Sequence, residues 1–368
     1  MHETNYNDLV NIVRLIRSEN VGPITFFKLI EKFGDFKEAI DSIPSLVKNA
    51  GKNQINIFSE SMAKKEIDLH LKNNVKIITY KDSFYPPLLK KIEDRPPLIF
   101  CKGNLQFLKK ISVAIVGSRN ASLLGRNTSF KIAKELSENG FLVVSGLAKG
   151  IDREAHLGAI NKGTVAFLGG GIDSIYPLEN KELFAEIEEK GALISEYPIG
   201  SKVLVNNFPR RNRLISGMSR GVLVVEANLT SGSIITAKYA IEQGREVFAI
   251  PSHPNDSRNL GCNYLIKNGA ILVEQVSDIV EVLKNNNCIM EDLSDNMLKV
   301  KNTKIIDDEI LKKARQKIDE LIGSSPIEIE NLVAVSGFGY EIINQILLEL
   351  ELCGKIERFP NNKIAKCI

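Results

Sequence analysis

From Ile111 onward the chain repeats one unit: a short apolar run, a turn usually rich in glycine, then most often an amphipathic stretch. The apolar runs are Ser112–Val116, Phe141–Val144, Thr164–Leu168, Ala192–Ile194, Val222–Val225, Glu246–Ile250 and Ala270–Val273. Amphipathic segments near 122–139, 151–162, 180–190 and 232–243 separate most of them. Unbroken apolar runs this short read as strands buried on both faces, and helical segments between them make the connections parallel. The pattern predicts an α/β fold with helices on both faces of a parallel sheet. Such sheets meet their ligands at the carboxyl ends of the strands.

The strand ends are where chemistry concentrates. They read Gly117-Ser118-Arg119-Asn120, then Ser145-Gly146-Leu147-Ala148-Lys149-Gly150-Ile151-Asp152, then Gly169-Gly170-Gly171-Ile172-Asp173 with Tyr176-Pro177. Two more follow, Ser195-Glu196-Tyr197-Pro198 and Glu226-Ala227 leading to Ser231-Gly232-Ser233. Glycines let a backbone approach a ligand closely, and free N–H groups at helix starts favour anions. Several such turns on one sheet edge predict a phosphate-containing ligand. Gly117, Ser118, Gly146, Gly150, Gly170, Ser231, Gly232 and Ser233 are the expected points of phosphate approach.

A basic segment, Phe208-Pro209-Arg210-Arg211-Asn212-Arg213-Leu214-Ile215-Ser216-Gly217-Met218-Ser219, lies between two of the apolar runs. It is read as a loop. Its arginines suit a phosphate chain and Phe208 offers a stacking face, while a solvated rim of arginines paired with carboxylates is the other reading.

Sharper motifs fail on inspection. The first turn is not G-x-G-x-x-G and no acid closes the second strand, so no dinucleotide cofactor is expected. Gly158 to Gly163 has Walker spacing, but Thr164 stands where lysine is needed. Asp152 and His156 lie four apart with no third ligand, which favours a capping Asp152 and a partly buried His156 over a metal site. No metal and no catalytic set are expected.

The flanks differ from the middle. Leu9, Ile12, Val13 and Ile16, then Val21-Gly22-Pro23, then Phe26, Phe27, Leu29 and Ile30 form two helical runs about a tight turn. That suits a helix-hairpin-helix-like (SAM-like) domain over 1–75, used either on DNA phosphate or for packing and partner contact. A proline-bearing stretch from Ser83 to Pro97 leads into the main domain, 76–284. Residues 285–304 are polar and read as a linker. Over 305–368 a helix-turn-helix pattern and a hairpin with Pro360-Asn361-Asn362 at its turn make a winged helix. Its second helix carries Glu341, Glu349 and Glu351 and no basic residue, so protein contact is favoured over DNA reading.

Charge and cysteine content narrow the class. Residues 76–304 hold 30 Lys and Arg against 24 Asp and Glu, whereas 1–75 balance and 305–368 are acidic. The basic excess therefore lies where a polyanion should bind. Five scattered cysteines argue for reduced thiols. No apolar run of membrane length and no signal pattern are visible, so a cytoplasmic protein is expected.

Taken together, VGSR at 116–119, SGLAKGID at 145–152 with His156, GGGIDSIYP at 169–177 and SEYPIG at 195–200 resemble the DprA/Smf family of DNA-processing proteins. FPRRNRLISGMS at 208–219, EANLTSGSIITA at 226–237 and GCNYLIKNGA at 261–270 extend the likeness across about 160 residues. Pro251-Ser252 and the uncharged Val203–Asn207 depart from the usual pattern. The resemblance implies an extended Rossmann domain that binds single-stranded DNA without base specificity during natural transformation. It also implies a homodimer and delivery of the strand to the recombinase RecA. On the matching motifs it places Arg119, Phe208 and Arg211 in the DNA groove, and charge and position add Lys149, Arg210 and Arg213.

The alternative is a nucleotide-processing enzyme of the phosphoribohydrolase type on a related fold. Those enzymes use P-G-G-x-G-T-x-x-E, and Asn228-Leu229-Thr230-Ser231-Gly232-Ser233 is followed by no such glutamate.

Overall fold

The computed structural model describes residues 4–256, 258–285, 308–359 and 362–367. The stretch read as a linker and the turn at Pro360-Asn361 lie outside the described residues, apart from Asn285 and Asn362. The chain divides into two compact units. One runs from Glu66 through the helix ending at Asn285; the other joins Asn5–Lys65 to the residues from Asp308 onward.

The second unit begins with α1 (Tyr6–Arg17), α2 (Pro23–Phe33) and α3 (Phe36–Asn49). Each starts where the sequence supplies a start signal. Asn5 caps α1 by accepting from the Asp8 amide at 2.8 Å, Pro23 opens α2, and Asp35 accepts from the Lys37 and Glu38 amides at the head of α3. α4 (Glu60–Lys72) leads from this unit into the other.

The main unit is built on a nine-stranded sheet: β1 (Lys76–Thr79), β2 (Leu98–Gly103), β3 (Ser112–Val116), β4 (Leu142–Ser145), β5 (Thr164–Phe167), β6 (Ala192–Ser195), β7 (Gly221–Val224), β8 (Glu246–Ala249) and β9 (Ile271–Leu272). Spatial order is β1-β2-β6-β5-β4-β3-β7-β8-β9. β3 to β9 are parallel, as the alternation predicts, and β2 and β1 extend the sheet antiparallel beyond β6. The chain winds outward from β3 to β6, then returns to place β7 on β3's other side. A crevice opens at the carboxyl ends of β3 and β7, where the winding direction reverses.

Helices α5 (Leu123–Glu138), α6 (Ile151–Ala159), α7 (Lys181–Lys190), α8 (Asn207–Met218), α9 (Gly232–Glu242), α10 (Leu260–Lys267) and α11 (Val276–Asn285) connect and cover the strands. Alternate residues of one strand serve opposite cores. Val113 and Ile115 pack with Ile132, Ala155 and Ile279, while Ala114 and Val116 pack with Leu214, Ile215 and Ile234.

The segment read as a basic loop is the helix α8. Pro209 falls in its first turn, where a missing N–H costs nothing, and Leu214, Ile215 and Met218 recur at helical spacing against the core.

His156 is fully rather than partly buried. Thr164 donates its hydroxyl proton to the Val143 carbonyl at 2.7 Å, so the His156 ring donates from Nδ1 to Thr164 Oγ1 at 2.8 Å. This chain of bonds ties α6 to β5 and β4. Burial, with the Arg211 charge second, pushes the His156 pKa down to about 3.

The tail of the second unit consists of helices Asp308–Leu321, Ile329–Ser336 and Tyr340–Leu352 with a three-stranded sheet, β10 (Ile327–Glu328), β12 (Lys363–Lys366) and β11 (Ile356–Phe359) in that spatial order. This is a winged helix. Two of the three glutamates that make the second helix acidic are buried: Glu349 accepts from both Nε and an Nη of Arg315, at 2.7 and 3.1 Å, and Glu351 pairs with Arg358.

Two outcomes follow from these contacts. The folded protein keeps His156 neutral while the unfolded chain protonates it near its ordinary 6.5. Stability from this group is therefore complete above that pH and falls by about 1.4 kcal/mol per pH unit below it. Urea unfolding at pH 7 and 5.5 should show the loss, and His156→Gln should flatten it. Removing one side of a buried ion pair strands the other charge, so Arg315→Ala should destabilise the second unit by about 3–5 kcal/mol. Denaturant melts of Arg315→Ala beside Arg315→Met/Glu349→Leu, which strands no charge, measure that cost.

Candidate nucleic-acid interface

The crevice between β3 and β7 encloses a cavity of about 580 Å³. Gly117 and Ser118 floor it, Ala148 and Asp152 form one wall, and Gly232 and Ser233 at the head of α9 form the other. The first turns of α8, with Phe208 and Arg211, close it from above.

Arg211 holds this architecture together. Its side chain is buried, and one Nη donates to the Gly146 carbonyl at 2.5 Å and to the Phe167 carbonyl at 2.6 Å, stapling the ends of β4 and β5 beneath α8. Asp152 balances the charge and accepts from the Gly146 and Ala148 amides at 3.2 and 3.4 Å. Burial raises the Asp152 pKa against the opposing pull of Arg211, and burial brings Arg211 down to about 10. Arg211 thus reaches the cavity only as part of its wall.

Arg213 is turned away from the cavity. It is buried beside Glu196, whose carboxylate it meets at 2.5 Å, and beside Asp94, whose carboxylate lies at 3.3 Å and whose carbonyl accepts at 2.6 Å. Both arginines were expected on the DNA. The helical twist of α8 sends 211 and 213 inward, whereas Arg210 stays exposed.

The mouth of the cavity carries a row of flat groups. The exposed Arg119 guanidinium lies 4.6 Å over the Phe208 ring, and Phe208 lies 5.6 Å from Tyr176, centroid to centroid. Tyr176 is 49% exposed, enough to offer a ring face to a ligand. Lys149 is also exposed and is paired with Glu179.

The glycines serve a different purpose from the one expected. A Cβ on Gly146 would strike the Arg211 guanidinium, on Gly117 the Ile151 side chain, and on Gly170 the Val203 side chain. Gly150, at φ +74°, brings its Cα against the Ser118 and Arg119 carbonyls. These four make room for the chain's own atoms; no ligand is needed to explain them. The Ser118 amide is likewise spent on the Glu226 carbonyl at 2.7 Å. Gly232 alone of the five faces open space.

The head of α9 is the anion-ready wall. Its first N–H groups have no partner within the helix. The Ser233 hydroxyl is buried and has no partner among the described residues, whereas Ser231 is satisfied by Asn228. Arg258, 60% exposed at its side chain, adds a cation to the rim.

Tyr176 and Arg258 escaped the sequence reading as site residues. Tyr176 sits in a quoted motif beside a glycine run, a signal that could have singled it out. Arg258 had none, being far along the chain and next to Asp256. Among the described residues no group of histidine, cysteine, aspartate or glutamate could hold a metal ion, and no helix is long and apolar enough to cross a membrane.

Residues 76–284 match the family of DNA recombination-mediator protein A, 7–68 the DprA-like N-terminal HHH domain and 307–362 the DprA winged helix domain. Protein Smf of Synechocystis is 32% identical over 93% of this chain and 94% of its own length. DNA processing protein DprA of Streptococcus pneumoniae is 46% identical over 54% of this chain and 71% of its own. The crystal structure of the Streptococcus pneumoniae protein superposes with a TM-score of 0.61 at 35% identity, covering 76% of this chain and 98% of that one. DNA processing protein A from Helicobacter pylori, studied for its single-stranded DNA binding mode, gives a TM-score of 0.53 at 28% identity, over 58% of this chain and 96% of that one. Three matched domains in order, a relative aligned nearly end to end and a switch-point crevice lined by the VGSR and FPRRN motifs lead to one conclusion: the chain belongs to the DprA/Smf family of DNA recombination-mediator proteins.

Proposed function

We propose that the crevice and its rim hold single-stranded DNA without reading its bases, and that the protein, as a homodimer, passes that strand to RecA. The observation that carries the DNA reading is the row Arg119–Phe208–Tyr176 at the mouth of a cavity walled by a helix start. Two rings and a guanidinium accept bases of any identity by stacking, each worth about 1–3 kcal/mol. The open N–H groups of Gly232 and Ser233, the Ser233 hydroxyl and the Arg258 charge suit the phosphates between them. Arg210 and Lys149 extend the basic rim, with Lys149 exchanging Glu179 for phosphate. In this reading Arg211 is a positioning residue that fixes where Phe208 stands, and Arg213 supports α8.

The proposal is binding without turnover. Asp152 is engaged by two amides and Arg211, and His156 is sealed in the core in its neutral form. Neither group is presented to a substrate bond. The single-stranded DNA binding studied in the Helicobacter pylori protein supports the same ligand here. Delivery to RecA and dimerisation are what the DprA/Smf resemblance implies.

Arg119→Glu should lower retention of a labelled oligonucleotide by about tenfold or more at low salt. Tyr176→Ala should cost about the worth of one stacked base, while Tyr176→Phe binds as the parent does. Oligo-dT and a mixed sequence should bind alike; undiminished binding by Arg119→Glu would show that the strand lies elsewhere. The wider role has its own measurement. Sedimentation should give twice the protomer mass, and RecA filaments should form faster on single strands with the parent protein than with Arg119→Glu. A monomer, or equal rates, would remove that part of the reading.

A further inference from the structure

The two motifs that the sequence offers as possible DNA readers, the N-terminal hairpin and the second helix of the winged domain, meet each other inside one unit. Helix Tyr340–Leu352 exposes only its first two residues, Tyr340 and Glu341. Ile343, Ile346, Leu347 and Leu350 fill the winged domain's own core. The far end of the helix is bonded to the N-terminal helices. The Asn20 side-chain amide donates to the Leu352 carbonyl at 3.0 Å, and the Thr25 hydroxyl donates to Glu351 Oε2 at 3.4 Å. Just past the helix, Cys353 Sγ donates to the Val47 carbonyl at 3.5 Å and Lys355 Nζ to the Ala50 carbonyl at 2.6 Å.

Asn20 and Thr25 bracket the Gly22-Pro23 turn, the part of a helix-hairpin-helix that would face a phosphate. Thr25 lies in the first turn of α2, where unpaired N–H groups and the helix dipole favour an anion. The anion in place is Glu351, a buried carboxylate that also pairs with Arg358. It comes from a helix with two further glutamates and no basic residue, running its negative end toward the positive end of α2. The two helix dipoles are complementary across the contact.

We propose that the hairpin and the winged domain's second helix are each other's partner, and that this clasp, with the Glu351 carboxylate in the position of a phosphate, withholds the hairpin from duplex DNA. The acidic helix is then a docking face for the chain's own N-terminal helices, which is why it carries no basic side chain. Release of the clasp frees the helix start at Gly22-Pro23 for nucleic acid.

The native thiol Cys353 reports on the clasp. In the full-length parent protein, mass spectrometry after brief treatment with a thiol reagent should show Cys353 modified about tenfold more slowly than the exposed Cys367; equal rates would overturn the docking. The triple variant Asn20→Gly, Thr25→Val, Lys355→Ala removes three of the bonds. Glycine keeps the left-handed conformation of Asn20, at φ +58°, and valine keeps the shape of Thr25. Modification of Cys353 should then speed up about tenfold and retention of a duplex oligonucleotide should rise by a similar factor, with binding of single strands unchanged. A rate equal to the parent's, or a faster rate with no gain on duplex, overturns the proposal.

Discussion

The main domain depends on a buried guanidinium. Arg211 bridges two carbonyls at the carboxyl ends of β4 and β5 and faces Asp152, so the strand ends, the turn into α6 and the start of α8 are held by one planar group. A charge this deep is tolerable because two carbonyls and the Asn212 side-chain oxygen accept from it and Asp152 opposes its charge. The consequence is geometric. With Arg211 drawn inward, Phe208, one turn earlier, is left at the rim, and the exposed Arg119 can lie over its ring.

The same economy appears in the glycines. Gly146 gives way to the Arg211 guanidinium, and Gly150 lets the SGLAKGID turn lie against the VGSR turn. Close approach of loop to loop builds the crevice, and its open surface is left to the head of α9 and the row of flat side chains. The strand-end motifs of this chain thus largely assemble a wall, with Arg119 and Phe208 left at its rim.

Much of the architecture was legible in advance. All seven parallel strands lie where the apolar runs place them, within a residue or two, because burial on both faces leaves an unmistakable run. The winged helix and the helical hairpin were legible from turn residues and spacing. β2 was not, since Leu98–Gly103 follows a proline-rich stretch that masks it. α8 was misread because its polar and basic composition hides the recurrence of Leu214, Ile215 and Met218. Arg211 and Arg213 were assigned to the ligand for a related reason: composition counts a guanidinium as solvent-facing, and only the acceptors around it reveal otherwise.

The sequence by itself determined the succession of strands and helices along the chain, the edge of the sheet where the glycine turns gather and the family. Each of these rests on periodicity and local turn chemistry, which act between near neighbours in the chain. Only the tertiary structure decided which arginines face outward, that Tyr176 joins Phe208, and that Glu349 and Glu351 are interior. Those outcomes depend on atoms far apart in sequence, 65 residues for Arg211 and Gly146 and 326 for Thr25 and Glu351. A charge shows its role only through the partners that folding brings to it.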